Sequence, residues 1–340
     1  MILNSWIIAQ LIGTLAILSL SVYAISVAQR IVRRWDPESA SEEQLLLEQK
    51  SYLVSTIMQY VLGFQILSLV LFVVTADKLS SILTGAMCAT GSLNANPYGF
   101  WTLYVKIAAF FVYAAWITIN YLDTRVEDYP LSKFKFKFLL LLIPVLVSDG
   151  VLQSLYFINL NPTLIVSCCG IVYDIGPPIA SSLEGISEGA AMGGFYLVMG
   201  SAILLGLLFR RGIGWLSYPF SAISAFSFYY SLLAIISFIS SYIYAMPSHH
   251  CPFDMLKAEY YYIGYPIYFS LFVGSFFGLA VGFTEPLKGL PSLGEVAARF
   301  QQGAASISVI GFVAFTTFST VPYLLWLIFG GEVIAVRPLI

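Results

Sequence analysis

The chain has 340 residues, 59% of them hydrophobic and only 10% charged, with a mean hydropathy of +0.85, which excludes an ordinary soluble globular domain. A formal net charge of −2 and the lack of any basic run exclude a nucleic-acid partner. Apolar segments of about eighteen residues or more recur along the chain, each long enough to cross a bilayer as a helix, so the composition describes a polytopic membrane protein.

The first apolar run, about Trp6 to Ala28, has no basic residue ahead of it and Arg30, Arg33 and Arg34 behind it. A secretory signal has the opposite charge order and a small-residue cleavage site. The run therefore reads as an uncleaved span with its N-terminus outside and its basic end in the cytoplasm. Asp36 to Lys50 is polar and acidic around Leu45, Leu46 and Leu47, and predicts a cytoplasmic amphipathic helix. Seven further spans follow, at about Leu53–Thr75, Phe100–Leu122, Phe138–Leu160, Met192–Phe209, Trp215–Ala245, Ile263–Phe283 and Ser306–Phe329. The expected fold is an all-α, single-domain bundle over residues 1–340, with about eight transmembrane helices and both termini outside.

The basic residues agree with this alternation. Twelve of the sixteen Lys and Arg fall in the loops assigned to the cytoplasm, 29–52, 123–137, 210–214 and 284–305. Outside lie only Lys78, Lys257 and Arg337, while Lys106 sits within a span. Such a bias orients helical membrane proteins. The 22 Tyr fit interfacial belts. Asn94-Ala95-Asn96-Pro97 and Asn159-Leu160-Asn161-Pro162 both fall in external loops, where Asn followed by Pro predicts a helix entry.

This topology places all four cysteines outside: Cys88, the vicinal pair Cys168 and Cys169, and Cys251. An even number of cysteines in an oxidising compartment reads first as disulfides. Vicinal cysteines pair with one another only through a strained ring, so Cys168 and Cys169 are expected to bond Cys88 and Cys251 separately. The loops 76–99, 161–191 and 246–262 would then form a cysteine-linked cap. The stretch Ser248-His249-His250-Cys251-Pro252-Phe253-Asp254-Met255 carries both histidines of the chain.

Three uses of this stretch compete. It is a structural clasp, or a redox site in which an imidazolium lowers the Cys251 thiol pKa, or a metal site of His249, His250, Asp254 and Met255, with Met246 and Met87 nearby. Sulfur and imidazole suit copper; imidazole, thiolate and carboxylate suit zinc. The redox version resembles, in architecture only, the membrane thiol oxidases that pass electrons from external cysteines to a quinone. This chain has about twice their spans and no Cys-x-x-Cys.

Other chemistry is excluded or localised by the residues present. Two adjacent histidines cannot be opposed axial ligands, so a bis-histidine haem is excluded. There is no phosphate-binding or dinucleotide-binding glycine motif and no supported Ser-His-Asp set. Within the spans, Lys106 and Asp149 fall at depths about one helical turn apart on antiparallel segments, which permits an ion pair and a proton, ion or quinone-headgroup contact. Gln65, Gln153 and Asn120 read as polar links between helices. Phe157–Ala191, with Gly176-Pro177-Pro178, predicts a re-entrant or surface element in which Glu184 and Glu188 share a helix face.

The expected function is thiol–disulfide or metal handling by an extracytoplasmic Cys/His cluster, coupled in one version to a quinone. The competing reading is a non-catalytic subunit or permease-like component of a larger complex, with purely structural disulfides. The expected setting is a bacterial inner membrane, functional face outward, with the bilayer and other membrane or periplasmic subunits as partners. A secondary transporter is disfavoured because inverted repeats are not evident.

Overall fold

A computed structural model describes residues 3–36, 39, 41–163, 165–166, 188–246 and 249–329. The described residues are helical and contain no strand. The helices are α1 (Ser5–Arg34), α2 (Glu42–Ser80), the short α3 (Ala89–Leu93), α4 (Tyr98–Asp123), α5 (Ser132–Ile158), α6 (Glu188–Arg210), α7 (Ser217–Ala234), α8 (Ser240–Tyr244), α9 (Gly264–Phe283) and α10 (Gly294–Phe329). Each of the eight apolar runs predicted to be a span is a helix long and apolar enough to cross a membrane, α7 and α8 together supplying one of them. Their outer faces carry bare apolar side chains: Leu15 is 71% exposed, Tyr60 76%, Leu197 72% and Phe269 72%. In water such surface would drive association, whereas lipid covers it at no cost.

Capping explains where the first helices begin. Asn4 accepts a hydrogen bond from the Trp6 amide at the start of α1, and Ser41 accepts one from Gln44 at the start of α2. The amphipathic stretch and the second span are one continuous helix from Glu42 to Ser80, because no Gly or Pro interrupts the chain between Leu47 and Leu53. At 1.5 Å per residue this helix is about 58 Å long, about twice the thickness of a bilayer's hydrocarbon core. The two Asn-Pro entries behave differently from expectation. Pro97, not Asn96, takes the cap position of α4, while the Asn96 side chain reaches the Tyr98 amide. Asn161 makes a local turn onto the Thr163 amide and hydroxyl.

The contacts divide the chain into two units. In the first, α1 packs on α2 and α5, and α4 packs on the same two helices, giving a ring of four. Its core includes Ala24, Ile31, Val54, Met58, Trp116 and Leu139. Loop hydrogen bonds from Val166 and Thr84 join the 76–99 and 161–191 connections within this unit.

The second unit holds Gly85–Gly91, α6 to α9, and α10 from Ala297 onward. Here α7 packs on both α6 and α9. A core of Phe209, Phe220, Val281 and Ala304 forms around them, and Phe195 meets Phe238 and Phe315 edge-on. α9 crosses α10 where two glycines face each other: a Cβ on Gly311 would stand 2.7 Å from the Gly274 Cα. Ser308 donates to the Gly274 carbonyl at 2.6 Å beside this crossing. Membrane helices associate through such close small-residue contacts and interhelical hydrogen bonds, since lipid offers no hydrophobic driving force.

Gly311→Ala should therefore cost about 1–3 kcal/mol by forcing these backbones apart. Gly303→Ala, on the same helix with open space around it, should leave stability unchanged or raise it slightly. Thermal unfolding of both variants in detergent checks the contrast; equal midpoints would contradict the crossing.

Candidate functional site

The second unit shapes the 246–262 connection from both ends. Past Ala234 the chain makes a wide i→i+5 turn at Ile235–Ile239 before α8, which stops where Ala245 turns left-handed (φ 52°). Wide turns of this kind disturb the regular carbonyl ladder. His250 answers it: its Nδ1 lies 3.0 Å from the Ile236 carbonyl oxygen and 3.3 Å from Ser241 Oγ. Opposite a carbonyl the nitrogen must be the donor, so Nδ1 carries a proton there. His250 thus clamps the connection to the helix below it.

Tyrosine hydroxyls hold the rest of the connection. Tyr244 donates to the Cys251 carbonyl at 2.6 Å and accepts the Met255 amide at 2.8 Å. Tyr268 donates to the Pro252 carbonyl at 2.7 Å. The His249 and Tyr260 rings stand edge-on to Tyr244, with centroids 4.7 and 4.6 Å away. Burial, and then the nearby Asp254 carboxylate, push the Tyr260 hydroxyl above its ordinary range, so it stays neutral. Met255 is fully buried beside Gly264, where a Cβ would stand 2.6 Å from its Cγ.

Against this scaffold two sulfur atoms and a carboxylate converge. Cys88 Sγ lies 3.3 Å from Cys251 Sγ, and Thr90 Oγ1 is 3.5 Å from the latter. Both cysteines are completely buried. The two Sγ atoms and one Asp254 oxygen all lie within 4.8 Å of one another. Asp254 is oriented from both sides, with His249 Nε2 at 2.8 Å from Oδ2 and Lys257 Nζ at 2.7 Å from Oδ1. Lys257 also donates to the Met87 carbonyl at 2.7 Å, tying the two connections together.

The expected site residues thus separate. Cys251, Asp254 and Cys88 come together, with His249 one step out on the carboxylate. His250 serves the backbone, Met255 fills the core, and the Met87 and Met246 side chains face outward. Cys168 and Cys169, expected to bond Cys88 and Cys251, lie outside the described residues, as do Gly176-Pro177-Pro178 and Glu184. Lys257, Thr90, Tyr244 and Tyr268 were not anticipated: nothing in the sequence separates these tyrosines from the many at the interfaces.

The first unit holds its own buried polar set. Lys106 Nζ lies 2.9 Å from Asp149 Oδ1, with both side chains 2% exposed. Lys106 also donates to Ser68 Oγ at 3.0 Å and sits 5.7 Å above the Phe72 ring. Gln65 donates to Asp149 Oδ2 at 3.4 Å. Gln153 instead donates to Thr14, linking α5 to α1.

A second buried pair, unanticipated, joins the other ends of the same helices. Lys135 Nζ lies 2.7 Å from Asp123 Oδ2 and donates to Asn120 at 3.2 Å, and Asn120 in turn donates to Gln59. Charge counting placed Lys135 in a loop; Asp123 was not singled out. Their reciprocity was legible: seventeen residues along α4 and fourteen back along α5 carry each helix from one sign to the other.

Comparison with protein-family models, with curated proteins and with solved structures finds no match. The described residues define an all-helical protein in which eight helices are long and apolar enough to span a membrane and a Cys–Cys–Asp cluster is buried at a helix-connecting segment.

Removing one member of a buried ion pair leaves an uncompensated charge. Asp149→Leu should therefore lower stability by about 3–5 kcal/mol, while Lys106→Met combined with Asp149→Leu should recover most of the loss. Denaturation of the solubilised variants measures both, and a single variant as mild as the double would refute the pairing.

Proposed function

We propose that this chain is an integral membrane protein whose extracytoplasmic face carries a metal site built on Cys88, Cys251 and Asp254. The supporting observation is the convergence of three ligand atoms within 4.8 Å from two separate connections, all buried. Two thiolates and a carboxylate form a donor set that suits zinc and leaves a fourth position open; copper is the second metal of this chemistry. His249 on the Asp254 carboxylate then acts as an outer partner that orients the ligand.

A second reading uses the same sulfurs, and their 3.3 Å separation favours it. Cys88 and Cys251 would close into a disulfide, releasing two electrons and two protons that a membrane quinone takes up to become a quinol. Partner subunits and the bacterial inner membrane belong to the proposal as its setting.

Metal analysis of the purified protein separates the readings. A metal site predicts one zinc or copper per chain, lost in Cys88→Ser and in Asp254→Asn. His249→Ala should weaken metal affinity about 10–100-fold. His250→Ala should keep the metal and cost about 1 kcal/mol of stability through its backbone contact. Metal-free protein whose two thiols are oxidised by a soluble quinone would move the assignment to the redox reading.

Orientation is tested separately. With both termini outside and basic loops inside, Glu127→Cys should resist an impermeant thiol reagent in intact cells and react after lysis. Labelling before lysis would invert the topology and place the cluster in the cytoplasm.

A further inference from the structure

Where the apolar run of α1 gives way to its basic end, α1 and the first turns of α2 enclose a cleft of about 570 Å³. Its walls carry four cationic side chains, Arg30, Arg33 and Arg34 from α1 and Lys50 from α2, against one carboxylate, Glu43. Glu43 pairs with Arg34. Among the described residues no carboxylate forms an ion pair with Arg30, Arg33 or Lys50. Gln29 and Ser26 add neutral hydrogen-bonding groups, and Leu46 and Leu47 supply apolar surface. The cleft therefore combines an unbalanced positive charge with planar guanidinium forks that match phosphate oxygens.

Its depth specifies the kind of phosphate. The cleft begins at Ser26, within one turn of the end of the apolar run, which puts it at headgroup level once α1 spans a bilayer. Toward the membrane interior the same two helices expose Val22 and Tyr23 on α1, and Leu53 and Tyr60 on α2. A ligand seated in the cleft can therefore continue along apolar protein surface. A free phosphate would use only the cations, whereas a phospholipid uses both features. The volume lies in the range of sites that enclose a small organic ligand.

We propose that this cleft binds the phosphate headgroup of an anionic phospholipid, with the acyl chains lying against α1 and α2. The site is independent of the cysteine cluster and requires only that these helices span the membrane. Basic pockets between membrane helices are suited to this chemistry, each cation near the surface contributing about fivefold in affinity.

The test uses the full chain in detergent with phosphatidylglycerol, cardiolipin or phosphatidylcholine added, lipid adducts being counted by native mass spectrometry and stability by thermal unfolding. Anionic lipids should remain bound and raise the unfolding temperature, while phosphatidylcholine should do neither. The triple variant Arg30→Gln, Arg33→Gln, Lys50→Gln should bind anionic lipid about a hundredfold more weakly. Since a triple variant can also fail to fold, wild-type binding is measured against salt as well, and should weaken as ionic strength rises.

Three results would overturn the proposal. One is equal retention of phosphatidylcholine, another is salt-independent binding with unchanged affinity in the folded variant. The third is displacement of the lipid by millimolar inorganic phosphate, which would assign the cleft to a soluble anion.

Discussion

Two ammonium groups and two carboxylates hold α4 against α5, each helix contributing one of each sign. Lys106 meets Asp149 near one end of the contact and Asp123 meets Lys135 near the other. In a low-dielectric interior an unpaired charge is far costlier than any single apolar contact is favourable. Sliding one helix along the other by a turn would separate both pairs at once. The pairs therefore specify the antiparallel register, and the apolar residues around Trp116 and Leu139 fill the space that this register defines. Ser68 and Asn120 accept from the two ammonium groups, Gln65 donates to the Asp149 carboxylate, and Asn120 donates to Gln59, so the polar contacts extend to α2. The four-helix ring of the first unit is organised by charge and packed by hydrocarbon.

The second unit is held by a different means. Its helices approach through glycine and serine, and the α9–α10 crossing at Gly274 and Gly311 depends on side chains that are missing. The 246–262 connection is then suspended from tyrosine hydroxyls and a histidine, with Cys251 and Met255 buried beneath it. Tyr244, Tyr268 and His250 bond backbone atoms, and this leaves the Cys251 sulfur and the Asp254 carboxylate as the groups presented to Cys88. Backbone clamped by buried hydroxyls is a rigid support, and rigidity is what a ligand set needs if it is to select a metal by geometry.

The same division of labour separates the two histidines, adjacent in sequence and unlike in role. His249 reaches the carboxylate through Nε2, and His250 reaches the wide turn of the helix through Nδ1. Successive side chains in an irregular segment point in different directions, so a cluster of potential ligands in sequence rarely becomes a cluster of ligands in space. Met255 illustrates the point from the other side, since its sulfur belongs to a side chain buried against Gly264.

The sequence by itself determined the all-helical class, the eight apolar helices and the similar depths that permit Lys106 to meet Asp149, because apolar run length and antiparallel order are both read along the chain. It also marked Cys251 and Asp254 as chemistry-bearing, since they sit with both histidines in one short polar break. The meeting of Cys88 with Cys251, 163 residues apart, was decided only by the tertiary structure. So were the choice of His249 over His250, the tyrosine supports and the cleft between α1 and α2. These depend on side-chain directions in irregular segments and on which face each helix turns to its neighbour. Local periodicity carries neither when nearly every face of a span is apolar.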